Sequence, residues 1–441
     1  MKTPIKDFID GYISKNAARM HMPAHKGKID FGEYDITEIS GADSLYEASG
    51  IIAESERIAS ELFGTDTYYS TEGSSLAIRA MLYLAVLNTG KPASAVKVLA
   101  GRNAHKVFIS AAALIGFDVE WLASSARGYL SCKITPDELD EYIAGMNERP
   151  DALYLTSPDY LGNMLDIKGI SKVCKKWGVL LLVDNAHGAY LKFLPESLHP
   201  SDLGADIVCD SAHKTLPVLT GGAYLHVGSG IKESVKSRVK EALILFGSTS
   251  PSYLILRSLD VANELVKTQI IPNMQTYICK IGDLKQKIAN LGYEILGDEP
   301  MKITIKSKLF GYSGCELAKH LEACGVYPEF ADADYLVLMP SQSNEADLDR
   351  VYSALASVTR RAEITSAPPH LGLPKRALSP RDALFTDSEE LPLEKSLGRV
   401  LSSVNIGCPP AVPIVVCGEV IDEGAIEAFT YYGISSVKVI K

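Results

Sequence analysis

Asp210-Ser211-Ala212-His213-Lys214-Thr215-Leu216-Pro217 follows a short run at 206–209 that reads as a strand, and precedes a Gly221-Gly222 turn and a further apolar run at 222–227. Its central residue is Lys214. A lysine at a strand end can be partly buried, which disfavours the ammonium and frees the amine to form a Schiff base with an aldehyde. By itself the stretch equally describes a surface turn. Its neighbours along the chain narrow the reading. The apolar run 179–183 ends in Asp184-Asn185-Ala186-His187-Gly188, placing a carboxylate at the tip of a strand whose other residues must be interior. Such a carboxylate needs a cationic partner. A protonated heterocyclic nitrogen supplies one; a helix cap or an ordinary ion pair supplies another.

Three more strand ends carry polar groups. The run 152–156 ends in Thr156-Ser157-Pro158, hydroxyl donors suited to a phenolate oxygen. Thr71-Glu72-Gly73-Ser74-Ser75 precedes a helical stretch that begins at Leu76, so small residues and hydroxyls lie at a helix N-terminus, a cradle for phosphate. Plain N-capping by serine is the alternative. Gly101-Arg102-Asn103-Ala104-His105-Lys106 follows the run 96–100 and offers an imidazole that can stack on an aromatic ring or stay solvated.

The same runs set the fold class. Between about 60 and 230, amphipathic stretches alternate with short runs at 96–100, 152–156, 179–183, 206–209 and 222–227, several of them apolar on both faces. That pattern predicts an α/β fold, a mostly parallel sheet with helices on both faces. Such sheets bind ligands beyond the carboxyl ends of their strands, where the five polar stretches fall. Residues 231–292 read as largely helical, with Pro251 and Pro272 as interruptions or starts. Alternation at 302–306, helical spacing at 315–324, a strand-like 335–339 and an amphipathic 345–358 describe a small α+β domain. Four of the 22 prolines lie between 364 and 380, which reads as an extended arm before a C-terminal segment.

Composition excludes several function classes. With 441 residues, 46% apolar and 22% charged, the chain is globular, at about 150 residues per domain enough for about three units. Its net charge of −10 repels phosphate backbones and anionic lipid, so neither nucleic acid nor membrane is an expected partner. No apolar run approaches the roughly 18 residues of a membrane span, and Met1-Lys2-Thr3-Pro4-Ile5-Lys6-Asp7 lacks the apolar stretch of a signal peptide. A cytoplasmic location is the expectation. The eight cysteines, at 132, 174, 209, 279, 315, 324, 408 and 417, form no C-x-x-C pair and no zinc spacing, so free thiols and no metal are expected.

Phosphate cradle, stacking ring, phenolate donor, ring-nitrogen carboxylate and amine occur in that order along the chain and together describe a site for pyridoxal phosphate. The chain resembles the ornithine/lysine/arginine decarboxylase family of fold type I pyridoxal-phosphate enzymes, in its compact bacterial form without an N-terminal wing domain. The stretches that carry the resemblance are His21-Met22-Pro23-Ala24-His25-Lys26-Gly27, Gly73-Ser74-Ser75, Arg102-Asn103-Ala104-His105-Lys106, Thr156-Ser157-Pro158, Asp184-Asn185-Ala186-His187-Gly188, Ser211-Ala212-His213-Lys214-Thr215-Leu216-Pro217 and Thr249-Ser250-Pro251-Ser252-Tyr253. The resemblance implies that Lys214 carries the Schiff base, Asp184 pairs with the pyridine nitrogen, His105 stacks on the ring and His187 lies beside it. It implies that Gly73, Ser74, Ser75, Ser211 and His213 hold the phosphate, with Thr156 and Ser157 also at the cofactor. It further implies a homodimer with active sites at the interface, Thr249 and Ser250 reaching across. The domains implied are an N-terminal arm and active-site entrance at 1–60, a cofactor-binding domain at 61–295, a small domain at 296–363, and a linker with a C-terminal domain at 364–441.

Lysine and carboxylate alone do not select the bond that breaks. Related aminotransferases keep an arginine on a small-domain strand to clamp the substrate carboxylate, whereas Tyr335-Leu336-Val337-Leu338-Met339-Pro340-Ser341 has none. An unclamped carboxylate favours its loss as carbon dioxide, so α-decarboxylation of a basic amino acid is the expectation. An aminotransferase or lyase, or a non-catalytic homologue, are the alternatives. The cationic end of such a substrate needs acceptors, and Asp43 and Glu38 are the candidates, each equally readable as a solvated loop charge. The chain also departs from the family: Ser402-Ser403 and Gly407-Cys408-Pro409-Pro410-Ala411-Val412-Pro413 replace an Ala-Glu and a Pro-Tyr-Pro-Pro-Gly-Ile-Pro run, Asn185 replaces Glu and Glu72 replaces Asn. These departures leave the substrate open.

Overall fold

The computed structural model describes residues 1–122, 128–404 and 411–441. Gly407, Cys408, Pro409 and Pro410, four of the departures, lie outside the described residues. The chain forms two compact units, Met1–Pro92 with Cys174–Met274, and Ala93–Val173 with Gln275–Lys441. Seven strands lie between residues 66 and 227: β1 (Asp66–Ser70), β2 (Lys97–Gly101), β3 (Asp118–Leu122), β4 (Ala152–Thr156), β5 (Leu180–Asp184), β6 (Ile207–Asp210) and β7 (Ala223–Val227).

In the first unit the strands run in the order β1-β7-β6-β5, with β5 and β6 parallel and β7 antiparallel to both β6 and β1. Every residue of β6 and β7 is buried, which accounts for their apolar runs. The helix Gly73–Thr89 packs against β6 and β7, and the helix Pro4–Ser14 against the helices Ile51–Phe63 and Tyr253–Leu265. Pro251 falls in the break before Tyr253–Leu265, and Pro272 stands just after the π-helical turn Val266–Ile270 that joins that helix to Ile271–Asn290. The structure shifts the expected boundaries in one consistent way. Strands expected at 179–183 and 206–209 extend one residue further, so Asp184 and Asp210 end their strands, and the helix expected from Leu76 begins at Gly73. Pairing carries on to the polar residue because Asp184 still faces Cys209 across the parallel ladder.

In the second unit β4, β2 and β3 are all parallel. A four-stranded antiparallel sheet follows, β8 (Ile295–Leu296), β9 (Ile303–Lys306), β10 (Phe330–Ala331) and β11 (Tyr335–Leu338), in the order β10-β11-β9-β8. Its helix Gly314–Ala323 starts at a reciprocal Ser313/Glu316 cap. The amphipathic stretch near 345–358 becomes a helix only over Leu348–Ala356, after a 3₁₀ segment. The C-terminal part pairs β12 (Ser388–Pro392) with β13 (Ser436–Ile440) over a core that includes Leu401, Ile421, Phe429 and Val439. The fold class is α/β, as the alternation predicts. No described helix is long and apolar enough to cross a membrane, and the described cysteines are free.

Candidate active site

The first unit places Asp184, His187, Ser211, His213 and Lys214 at or just beyond the carboxyl ends of β5 and β6. Immediately after β6 the chain makes the short helix Ala212–Thr215, in which Lys214 N–H donates to Ser211 O at 3.0 Å. The turn holds the half-buried Lys214 side chain with Nζ 3.1 Å from His187 Nε2. His187 is itself buried, on the turn that follows Asp184. Asp184 is 2% exposed, and its Oδ1 accepts from Ala186 N–H at 3.2 Å and from the Cys209 thiol at 3.6 Å. A carboxylate so deeply placed and so held is costly unless a cation or donors meet it. Amine, imidazole and carboxylate thus stand on two adjacent turns.

The expected phosphate cradle is an uncapped helix start. No side chain caps Gly73–Thr89; the Glu72 carboxylate accepts instead from Ser248 N–H at 2.6 Å. Gly73 has φ +70°, and no atom lies within 4 Å of where a side chain would begin. First-turn amides, the helix dipole and this open space fit an anion. Ser211 Oγ donates to Ser74 Oγ at 2.8 Å, which links the lysine turn to the cradle. His213 Nδ1 lies 2.9 Å from Gly222 O. Thr249 and Ser250 are exposed, next to the Ser248 whose amide Glu72 holds.

The second unit carries His105, Thr156 and Ser157. His105 caps the helix Lys106–Ile115, its Nδ1 accepting from Val107 N–H at 3.2 Å. Thr156 Oγ1 is buried without a hydrogen-bond partner, and Ser157 Oγ accepts from Leu165 N–H at 3.1 Å. A buried hydroxyl with no partner is the kind of orphan that a ligand oxygen satisfies. Within the first unit, the uncapped helix start, the amine and the buried carboxylate match phosphate, aldehyde and ring nitrogen in turn. The residues present fit pyridoxal phosphate.

The substrate candidates differ in how they are engaged. Asp43, at φ +68°, turns its carboxylate onto the amides of Ser44, Ser49, Gly50, Ile52 and Ala53 at 2.8–3.3 Å, anchoring the start of the helix Ile51–Phe63. Burial pushes this carboxyl up, and the amides of Ser49, Gly50, Ser44 and Ala53 outweigh that and hold it below its ordinary range. Glu38 is exposed and accepts from the Thr37 hydroxyl at 2.7 Å.

Residues 11–299 match the family model described as Orn/Lys/Arg decarboxylase, major domain. The chain belongs to the Orn/Lys/Arg decarboxylase family. A Bacillus subtilis relative called YaaO, itself uncharacterized, is 30% identical over 97% of this chain and 93% of its own length. An arginine decarboxylase of the same organism is 29% identical, over 96% of this chain and 92% of its own. The lysine decarboxylase LdcF of Francisella novicida superposes with a TM-score of 0.82 at 18% identity, covering all of this chain and 81% of that one, a likeness of fold. As a member of this family, the chain is a pyridoxal-phosphate-dependent decarboxylase.

Two features of this decarboxylase escaped the sequence reading. His199, Asp210 and His226 meet in the first unit, their nearest ligand-type atoms within 4.8 Å of one another and all three side chains buried. In the second unit Arg102 donates to Glu419 Oε2 at 2.7 Å, both nearly inaccessible and 317 positions apart. A histidine in the middle of the apolar strand β7 is the one signal that pointed to the first. Nothing local pairs 102 with 419.

Proposed function

We propose that this enzyme removes the α-carboxylate of a basic amino acid, arginine, lysine or ornithine, as carbon dioxide and releases the corresponding amine. The observation that carries the reading is the Lys214 amine, 3.1 Å from His187 on a turn next to the buried Asp184. Pyridoxal phosphate, when bound, supplies an aldehyde and an electron-poor ring that takes up the electron pair left by carbon dioxide. Lys214 would hold the aldehyde carbon, whose oxygen leaves as water, and Asp184 would hold the proton on the ring nitrogen. Gly73, Ser74, Ser75, Ser211 and His213 receive the phosphate, His105 stacks on the ring, and Thr156 and Ser157 donate to the ring oxygen. The Lys214–His187 pair holds the proton that the α-carbon takes up after carbon dioxide leaves. With five amides already on its carboxylate, Asp43 contributes charge toward the substrate's distal cation, while Glu38 retains acceptor capacity for direct contact.

A homodimer is part of the proposal, Thr249 and Ser250 approaching the partner's site, as are a cytoplasmic location and an amine product that polyamine biosynthesis can consume. The sequence-based division at 60, 295 and 363 is proposed as the division of labour. Lys214→Ala abolishes the borohydride-reducible cofactor adduct, and purified protein releases carbon dioxide from at least one of arginine, lysine and ornithine. A retained adduct refutes the choice of lysine. Keto acid without carbon dioxide favours an aminotransferase.

A further inference from the structure

Asp210 lies between the two reactive turns and belongs to neither. Side chains alternate along a strand, so Cys209 shares the face of Asp184 while Asp210 turns to the reverse face. There it is wholly buried. Its Oδ2 lies 3.0 Å from His199 Nε2 and 3.0 Å from His226 Nε2, and its Oδ1 accepts from Asn185 Nδ2 at 2.7 Å. His199 Nδ1 lies 2.7 Å from Ser201 Oγ and 3.3 Å from Ser201 N, so both ring nitrogens are engaged and Nε2 faces Asp210. His226 Nδ1 meets Thr67 Oγ1 at 2.9 Å. Phe63 closes the pocket, its ring centroid 4.5 Å from that of His226 and 5.7 Å from that of His199.

Asn185 is the link. It follows Asp184 directly, its backbone N–H donates to Cys209 O at 2.9 Å, and its side chain reaches Asp210. Its Oδ1 is buried with no partner and sits where a side chain at Gly188 would begin, so the amide's orientation is set by Asp210. An anion kept out of water is expensive, and one held by three donors is also rigid.

We propose that Asp210 is a positioning residue: fixed by His199 and His226 on the reverse face of the sheet, it grips Asn185 and so sets the strand tip bearing Asp184 relative to the turn bearing Lys214. The proposal rests on Lys214 and Asp184 being the reactive pair.

The test uses the full-length holoenzyme. Asn185→Ala cuts the link and leaves Asp210 with its two histidines; Asp210→Asn removes the charge at constant shape. Asn185→Asp combined with Asp210→Asn restores an amide–carboxylate bond with the partners exchanged. Both single variants keep the borohydride-reducible adduct at Lys214 but retain cofactor about ten- to a hundredfold less tightly, with kcat lowered and KM for the amino acid within about twofold. The exchanged pair recovers most of the retention. Wild-type cofactor retention in Asn185→Ala overturns the proposal even if Asp210→Asn fails to fold. An exchanged pair no better than either single variant also overturns it, as does one equivalent of transition metal bound at the three side chains of purified protein. Loss of the proposed chemistry itself shows separately, as an adduct that survives Lys214→Ala.

Discussion

Asp260 offers a test in which removing a charge strengthens the protein. It lies on the helix Tyr253–Leu265, fully buried, and its Oδ2 accepts from Ile5 N–H at 3.0 Å and Lys6 N–H at 2.9 Å, the first amides of the helix Pro4–Ser14. Its Oδ1 accepts from Ser55 Oγ at 2.6 Å. Burial pushes the carboxyl up, the hydrogen bonds pull it part of the way back, and it comes to rest at about 6 against an ordinary 3.8. The folded state therefore binds this proton more tightly than the unfolded chain. The resulting stability is fully present below the unfolded value and is lost as pH rises through about 6. At 1.36 kcal/mol per pKa unit the loss is about 3 kcal/mol at pH 8. Asp260→Asn keeps an acceptor for the two amides and carries no charge at any pH. Relative to wild type, it gains about 2–3 kcal/mol between pH 4 and pH 8. Thermal melts of both full-length proteins at matched pH values measure this, since every other titrating group cancels in the difference. A difference that stays constant with pH, or wild type gaining on the variant as pH rises, refutes the reasoning. The same helix carries Tyr253, whose hydroxyl donates to Asp43 O at 2.7 Å, so its anchoring bears on the proposed entrance.

Two further outcomes follow from the geometry. Asp184→Ala removes the ring-nitrogen partner and strips the Cys209 thiol and Ala186 amide of their acceptor, so carbon dioxide release falls about a hundredfold or more and cofactor retention weakens. Kinetics near wild type would refute the assigned role. Arg102→Leu leaves Glu419 at 2% exposure without its cation, a destabilisation of about 3–5 kcal/mol seen in thermal melts, and adding Glu419→Gln recovers most of it. An unchanged melting temperature in the single variant contradicts the pair's importance.

Much of the site was legible because its chemistry is local. Asp184 and Thr156 end apolar runs, Lys214 follows one in the next turn and Gly73-Ser74-Ser75 opens a helix, and strand ends and helix starts are where an α/β sheet exposes polar groups. The strand ends shifted by one residue: Asp184 closes its strand because it pairs with Cys209 in the parallel ladder, and Asp210 because it pairs with Tyr224 in the antiparallel one. Asp43 read as a candidate acceptor for the substrate or as a solvated loop charge, yet five amides from 44 to 53 converge on it, a backbone arrangement that composition does not encode.

The five strands β2, β4, β5, β6 and β7, and the residue types offered at their tips, came from the sequence alone, since hydrophobic periodicity and turn chemistry act over a few residues, whereas β1 and β3 did not stand out as apolar runs. Which groups meet was decided by the fold. Lys214 and His187 are 27 positions apart, Asp210 draws His199 and His226 from either side of it, and Arg102 finds Glu419 across 317 residues. Buried charges must be paired wherever the chain brings a partner, and that place is set by the packing of distant segments within each unit.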